Sequence, residues 1–344
     1  MIEEKECDEN LELKKARVDL RWHLRFSLLP NCNFRCRYCN PDGLSEGSNA
    51  LESKEILEIV KAAIVNGIVR VHWTGGEPCL MDMVSLLNSS RKIGMIDQVL
   101  TTNGSLQLNN VYSMKEAGLK RVNISLDSLS PKKNKEITGK NFFDNTLQWI
   151  KKACEAFDEV TKMNIVPMRD TIREVGNFVD FASQFNGKLM LKFIELCPNN
   201  PAFYGNDIQQ FYVPRYMIIK ELERFGKLKR SNAVGDNPNA EYYQIGNTGV
   251  TAILVTMPSQ NYKCGLDRCR KMRISPFGIA GSCIQQKGVR LRGFSLKEKV
   301  YRINKLKEIR DSYSDIAPVT RFHFRGEFGF WRFGKLEEKE ESND

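Results

Sequence analysis

Between about residues 21 and 195, short apolar runs alternate with longer stretches of helical period, and this alternation limits the possible folds more than any other feature of the chain. The runs at 24–28, 69–73, 98–101, 121–125, 161–166 and 189–195 have strand length. The stretches at 54–65, 109–117, 145–157 and 174–185 carry helical spacing. Repeated βα units imply parallel strands with helices packed outside. Six such units predict an α/β fold: an open (β/α)6 version of the eight-stranded barrel, a TIM-type partial barrel. Chemistry in barrels of that kind sits at the C-terminal ends of the strands.

The conspicuous motifs fall at those ends. Cys32, Cys36 and Cys39 follow the first strand with spacing C-x3-C-x2-C. Gly75-Gly76-Glu77-Pro78 follows the second, Thr101-Thr102-Asn103-Gly104 the third, and Asn123-Ile124-Ser125-Leu126-Asp127 closes the fourth. Three thiolates so close in sequence suit three corners of an iron–sulfur cube, leaving one iron open to bind a small molecule. Past a helix near 215–225, the polar stretch 229–239 reads as a domain junction. Strand-like runs at 242–245 and 250–255 follow it, then a second cysteine group, Cys264-x4-Cys269-x13-Cys283, and a charged helix at 296–310. The expected division is a charged arm over 1–20, a barrel over 21–228, and a C-terminal part over 229–344 that carries the second cysteine group. An aromatic and basic stretch at 322–331 reads as a strand packed on the body, and the acidic residues 337–344 as a solvated tail.

The whole chain bears on the class of partner. Its 344 residues, 41% hydrophobic, suffice for one large domain with a smaller one. The formal charge of +10 is spread among interspersed Glu and Asp without a basic block, which favours a small anionic substrate over nucleic acid. No apolar run reaches the length of a membrane span, and the charged N-terminus lacks a secretory core, so a cytoplasmic protein is expected. Ten cysteines, six of them in two tight groups, indicate metal ligation in a reducing compartment.

On these segments, together with Lys192-Phe193-Ile194-Glu195, the chain resembles the radical SAM enzymes and, within them, the GTP 3′,8-cyclase (MoaA) family of molybdenum cofactor biosynthesis. The resemblance runs from about residue 21 to 310. It implies a [4Fe–4S] cluster on Cys32, Cys36 and Cys39 whose open iron chelates S-adenosylmethionine. One electron, from a donor such as flavodoxin or ferredoxin, then cleaves that cofactor to a 5′-deoxyadenosyl radical that takes a hydrogen atom from the substrate. Gly75, Gly76 and Glu77 would hold the methionine end, the glycines by letting backbone approach the ligand and the Glu77 carboxylate by facing an ammonium group. Tyr38 and Ser125 match cofactor-contacting positions. Arg25, Thr101, Lys162 and Arg273 match positions that contact GTP. Lys192 and Lys271 stand where the family has arginine, and His72 replaces an arginine expected to bind triphosphate. Lysine keeps the charge but loses the bidentate fork.

For Cys264, Cys269 and Cys283 the family pattern implies a second [4Fe–4S] cluster. The residues alone also allow a structural zinc completed by Cys197 or Cys79, or idle thiols. The family's terminal Gly-Gly pair is missing, the chain ending Glu341-Ser342-Asn343-Asp344. That departure leaves two enzymatic expectations: the cyclase itself, or a related tailoring enzyme acting on another nucleoside, sugar or peptide. An iron–sulfur protein without catalysis is the expectation from a different class.

Overall fold

The computed structural model describes residues 18–39, 49–196, 208–231, 239–256, 269–282 and 288–312. Six strands lie in sequence order at its centre: β1 (His23–Ser27), β2 (Arg70–Thr74), β3 (Asp97–Thr102), β4 (Leu119–Ser125), β5 (Thr161–Ile165) and β6 (Leu189–Ile194). All neighbouring pairs among them are parallel. The rest of the chain extends this one sheet at both edges. Beside β6 lie β9 (Thr251–Val255), β8 (Ala240–Ile245) and β7 (Leu228–Ser231); beside β1 lie β10 (Lys271–Ile274), β11 (Ile279–Gly281) and β12 (Val289–Arg290). Strand β9 is parallel to β6 and β10 to β1, so eight parallel strands make an open barrel wall and short antiparallel strands flank it.

Alternation along the strands divides function from packing. Leu24 and Phe26 of β1, Val71 and Trp73 of β2, and Met163 and Ile165 of β5 are buried in the main core, under the helices. Their neighbours Arg25, His72 and Lys162 take the opposite, inner face. Helix α1 (Ser53–Val65) shows why the outer layer forms. Glu52 and Glu55 make a reciprocal capping box at its start. Its Ile56, Ile59, Val60, Ala63 and Ile64 recur at helical spacing and are buried. Each fully buried isoleucine contributes roughly 1.5–3 kcal/mol relative to exposure.

The expected strands and the helices at 54–65, 145–157, 174–185, 215–225 and 296–310 are all present, with ends displaced by at most two residues. The helix expected over 109–117 divides into a 3-10 turn, Leu108–Asn110, and a short helix, Val111–Glu116. Besides the four-residue helix Ile208–Phe211, two longer helices went unread: α2 (Met83–Ile93), capped by the Asp82 side chain on the Ser85 N–H at 3.1 Å, and α4 (Pro131–Thr138), which follows the intervening α3 (Val111–Glu116) and is capped by Ser130 with proline at its first turn. Residues 229–231, read as part of a junction, belong to β7. The aromatic stretch at 322–331, the acidic tail, Cys197, Cys264 and Cys283 lie outside the described residues.

Candidate active site

The cysteine loop and the Gly-Gly-Glu segment are zipped together backbone to backbone. Leu28 N–H donates to Thr74 O at 2.7 Å, Gly76 N–H to Leu29 O at 2.7 Å, and Glu77 N–H to Asn31 O at 3.1 Å. The glycines are required by this approach. A Cβ on Gly76 would lie 1.8 Å from Asn31 O, and one on Gly75, whose φ is +132°, 2.7 Å from Leu28 N. The cysteine loop is thus the close neighbour on the Cβ side of both glycines. Glu77 is also engaged within the protein. Its side chain is 1% exposed and its carboxylate accepts from Thr102 Oγ1 at 2.6 Å, Asn103 N–H at 2.7 Å and Cys79 N–H at 2.9 Å. Burial raises its pKa, and these donors oppose the shift. The carboxylate therefore ties the end of β2 to the end of β3.

That tie carries on to the thiols. Asn103 Nδ2 donates to Asn33 Oδ1 at 2.9 Å and reaches Cys32 Sγ at 3.8 Å, while Phe34 N–H points at the same sulfur at 3.3 Å. Asn33 is held in turn by Ser105 Oγ at 2.8 Å. Cys32 and Cys39 are exposed and Cys36 half-buried. Burial pushes the Cys36 thiol pKa up, and the nearby Asp127, Cys39 and Cys32 add to the shift, which places the three sulfurs in one another's field. Tyr38, inside the triplet, donates to Asp127 Oδ2 at 2.5 Å, and the other oxygen of Asp127 accepts Val166 N–H at 2.8 Å. Burial raises the Asp127 carboxyl to about 6, against the Tyr38 hydrogen bond. Arg37 lies over the Phe211 ring at 4.5 Å and pairs with Asp170 at 2.6 Å. Tyr212 donates to Glu195 and packs with Tyr38 and Phe211 around Leu196.

Deeper in the barrel the inner face becomes cationic. Register places Arg25 beside His72 on one side and Arg273 on the other, with Lys271 opposite His23 and Lys162 opposite Asn123. His72 Nε2 lies 2.6 Å from Thr101 Oγ1 and 3.2 Å from Asn123 Nδ2. Burial, then Arg25, Lys192, His23 and Lys271, hold the His72 pKa well below the usual imidazole range, so the ring is neutral at pH 7. Burial, then Lys162, Lys271 and Arg25, lower the Lys192 amine to about 7. These mutual effects bring Arg25, His72, Lys162, Lys192 and Lys271 into one layer. Lys192 stands in register with Asn164 of β5, and Asn164 in turn with Ser125 of β4.

The cysteine triplet and Cys269 take opposite ends of the strands. The triplet follows the C-terminal end of β1. Cys269 precedes the N-terminal end of β10, which runs parallel to β1, so it lies at the other end of the strands.

The arrangement has counterparts among known proteins. The description "Radical SAM superfamily" matches residues 26–182. GTP 3′,8-cyclase of Vibrio parahaemolyticus is 31% identical over 316 residues, covering 90% of this chain and 92% of that one. A probable GTP 3′,8-cyclase of Pyrococcus abyssi is 32% identical, covering 76% of this chain and 84% of its own. The chain belongs to the radical SAM superfamily and, within it, is a divergent relative of the GTP 3′,8-cyclases. Among solved structures, Streptococcus suis SuiB bound to S-adenosylmethionine superposes with TM-score 0.60 at 18% identity, covering 90% of this chain and 72% of SuiB. That likeness shows the shared open-barrel fold.

For a radical SAM enzyme the implied groups are a [4Fe–4S] cluster and S-adenosylmethionine, and the residues present fit both. The three thiols sit together at the barrel mouth. Among the described residues no three His, Cys, Asp or Glu side chains converge on a single ion, whereas thiols that each bind a different iron of a cube need not converge so closely. Beside them the Asn164 Oδ1 atom is buried without a hydrogen-bond partner and the Ser125 hydroxyl has none among the described residues. An unsatisfied buried acceptor is costly in a finished site and suits a polar ligand in a working one. Sequence reading included Asn103, Asn123 and Asp127 in its motifs without giving them roles, and it passed over Asn164. Their roles depend on partners from neighbouring elements.

Proposed function

We propose that this enzyme binds S-adenosylmethionine at a cluster held by Cys32, Cys36 and Cys39 and initiates radical chemistry on a phosphorylated nucleoside, with GTP as the first candidate and 3′,8-cyclisation toward molybdenum cofactor as the reaction. The observation that carries this reading is the cationic layer of Arg25, Lys162, Lys192 and Lys271, flanked by Arg273, on the inner face of the strands between the cysteine triplet and Cys269. A layer rich in positive charge favours a ligand that brings negative charge. The cluster, when bound and reduced by a donor such as flavodoxin or ferredoxin, supplies the electron that cleaves S-adenosylmethionine to methionine and a 5′-deoxyadenosyl radical. The chain's own part is positional. Ser125, Asn164 and Tyr38 line the cofactor level. Thr101 and neutral His72 offer hydrogen bonds rather than charge to the substrate, and the lysines and arginines neutralise its phosphates. Cys264, Cys269 and Cys283 are assigned to a second [4Fe–4S] cluster within the C-terminal part, 229–344, and the enzyme to the cytoplasm.

A second reading is a related enzyme that acts on a different anionic nucleoside, sugar or peptide. It is favoured by His72, a neutral ring tied to Thr101 and Asn123 where a triphosphate site has use for another cation. One experiment separates the two. Anaerobically reconstituted enzyme is given S-adenosylmethionine, reductant and ribose-deuterated GTP. Deuterium recovered in 5′-deoxyadenosine supports the cyclase. Absence of GTP binding up to millimolar concentration, with iron content intact, removes GTP and leaves the second reading.

A further inference from the structure

Helix α4 is bonded directly to the cysteine loop. Arg35 N–H donates to Thr138 O at 2.9 Å and Arg37 N–H to Ile137 O at 3.0 Å, so two carbonyls from the last turn of the helix hold the chain between Cys32 and Cys39. Phe34 of the same loop stacks on Phe142, just past the helix, with ring centroids 5.8 Å apart. Asn134, Ile137 and Thr138 of α4 are buried. Its outward residues Lys132, Lys135 and Glu136 are exposed, as are Lys140 beyond its end and Arg35 on the loop. With Lys133 added, residues 131–140 and Arg35 present five cations and one carboxylate. Lys133 is engaged with Glu174 at 3.0 Å. The side chains of Arg35, Lys132, Lys135 and Lys140 have no hydrogen-bond or ion-pair partner among the described residues. Exposed lysines are ordinary on a helix; these stand on the element that holds the loop of the exposed Cys32 and Cys39.

We infer, on the reading that the triplet holds the reducible cluster, that the outward face of α4 together with Arg35 is the docking surface for the electron donor, and that this donor is a protein carrier with an acidic rim around its redox centre. The face suits a brief encounter. Redox encounters are weak and bury little area, and charge gives such pairs their rate and orientation. A long-lived partner needs an apolar centre to its interface, whereas α4 turns its one large apolar residue, Ile137, inward. A carrier seated over these lysines stands beside the exposed thiols, and the bonds to Arg35 and Arg37 N–H keep that seat in fixed relation to them. The step balances without any covalent change: one electron leaves the reduced flavin or iron–sulfur centre of the carrier, which is oxidised by one electron, and reduces the cluster by one. The oxidised carrier then departs.

The test uses reconstituted holoenzyme with S-adenosylmethionine and two acidic carriers, a reduced bacterial flavodoxin and a reduced ferredoxin. Stopped-flow absorbance follows cluster reduction. Lys132→Glu, Lys135→Glu and Lys140→Glu are combined in one variant, because none of these side chains bonds to the rest of the described fold. With at least one carrier, the second-order rate at about 50 mM salt is expected to fall about tenfold or more in this variant, within the range of electrostatic steering. The wild-type rate should fall with added salt toward that of the variant. Iron content, and 5′-deoxyadenosine formation driven by reduced methyl viologen, a small reductant that needs no docking surface, should stay within about twofold. A control variant, Lys54→Glu with Lys120→Glu and Lys297→Glu, makes the same change of net charge at exposed lysines of other elements and should keep most of the carrier-driven rate. Equal losses in the two variants, a rate indifferent to salt, or loss of iron in the α4 variant overturns the inference, as does failure of both carriers where methyl viologen succeeds. If methyl viologen also yields no 5′-deoxyadenosine from iron-loaded wild-type enzyme, the radical reading falls and this inference falls with it.

Discussion

The two ends of the inner face are built on opposite principles. Near the cysteine loop, the buried acids Glu77 and Asp127 have found their donors: Thr102, Asn103 and Cys79 for one, Tyr38 and Val166 for the other. In the cationic layer, Lys162, Lys271 and Arg25 lower the Lys192 amine, and Lys192 has no partner among the described residues. The first region is braced before any ligand arrives and fixes geometry. The second gathers like charges, which favours an anionic ligand. A site that must hold a cluster and cofactor in strict alignment gains from the first design. A site that must attract a soluble anion and later release its product gains from the second.

If the cysteine end is rigid by construction, small changes there should have the largest effects. Gly76→Ala would place a Cβ 1.8 Å from Asn31 O and should part the two backbones. Iron content is expected to fall by more than half, with 5′-deoxyadenosine formation lost, as it should also be in Cys32→Ala. Retained iron and activity in Gly76→Ala would show that the loop yields, and the contrast would break. Next in size is Asp127→Ala, which leaves the Tyr38 hydroxyl and Val166 N–H unmatched at a cost of about 1–3 kcal/mol in stability. We expect about tenfold slower cofactor cleavage at full iron content, measured as 5′-deoxyadenosine per cluster.

The cationic layer should respond in binding instead. Arg273→Ala is expected to weaken GTP by about 1.5–3 kcal/mol, the range for hydrogen bonds to charged groups, while cluster loading stays unchanged. Equilibrium binding at two salt concentrations checks it, since screening should shrink the effect. The smallest change should be a gain in stability. Lys192 has a folded pKa of about 7, below its unfolded value, so the folded state binds fewer protons between pH 7 and about 10.4 and wild-type stability rises with pH across that window. Lys192→Met should therefore stabilise the ligand-free enzyme by roughly 1–3 kcal/mol below pH 7, the gain fading toward pH 10. Denaturant unfolding at pH 6.5 and 9.5 measures both ends. Equal gains at both pH values would mean that packing, not charge, sets the difference.

Sequence alone revealed the strands whose outward residues are strongly apolar, such as Leu24 and Phe26 or Val71 and Trp73, because burial under helices imposes a period that composition displays. It did not reveal β10, the four residues Lys-Met-Arg-Ile, because two of the four are charges that point into a channel and resemble solvent-facing charges in isolation. Helix α4 announced itself through Ser130-Pro131, a cap followed by first-turn proline, and was passed over because its remaining residues are mostly polar. The cysteine triplet and the Gly-Gly-Glu segment were each legible as motifs. Their joining through Asn31 O was not, since sequence separation carries no signal of two backbones in contact. Asp127 and Asn164 read as ordinary polar residues at strand ends until their partners, or the absence of one, were visible.

The parallel pairing of β10 with β1 has a consequence for the order of assembly. Residues 23–26 find their neighbours at 271–274, almost a whole chain length later, and the helix α9 (Leu296–Ser312), which follows α5 (Phe143–Ala156), α6 (Val175–Ser183), α7 (Ile208–Phe211) and α8 (Arg215–Glu223), then closes over α1 through Lys299–Glu58 and Lys307 on Asn66 O. On a ribosome that makes about 5–20 residues each second, β1 waits for many seconds with one edge unpaired. During that interval the cysteine loop and its braces from β2, β3 and β4 are already synthesised, while the flank that β10 later covers stands open.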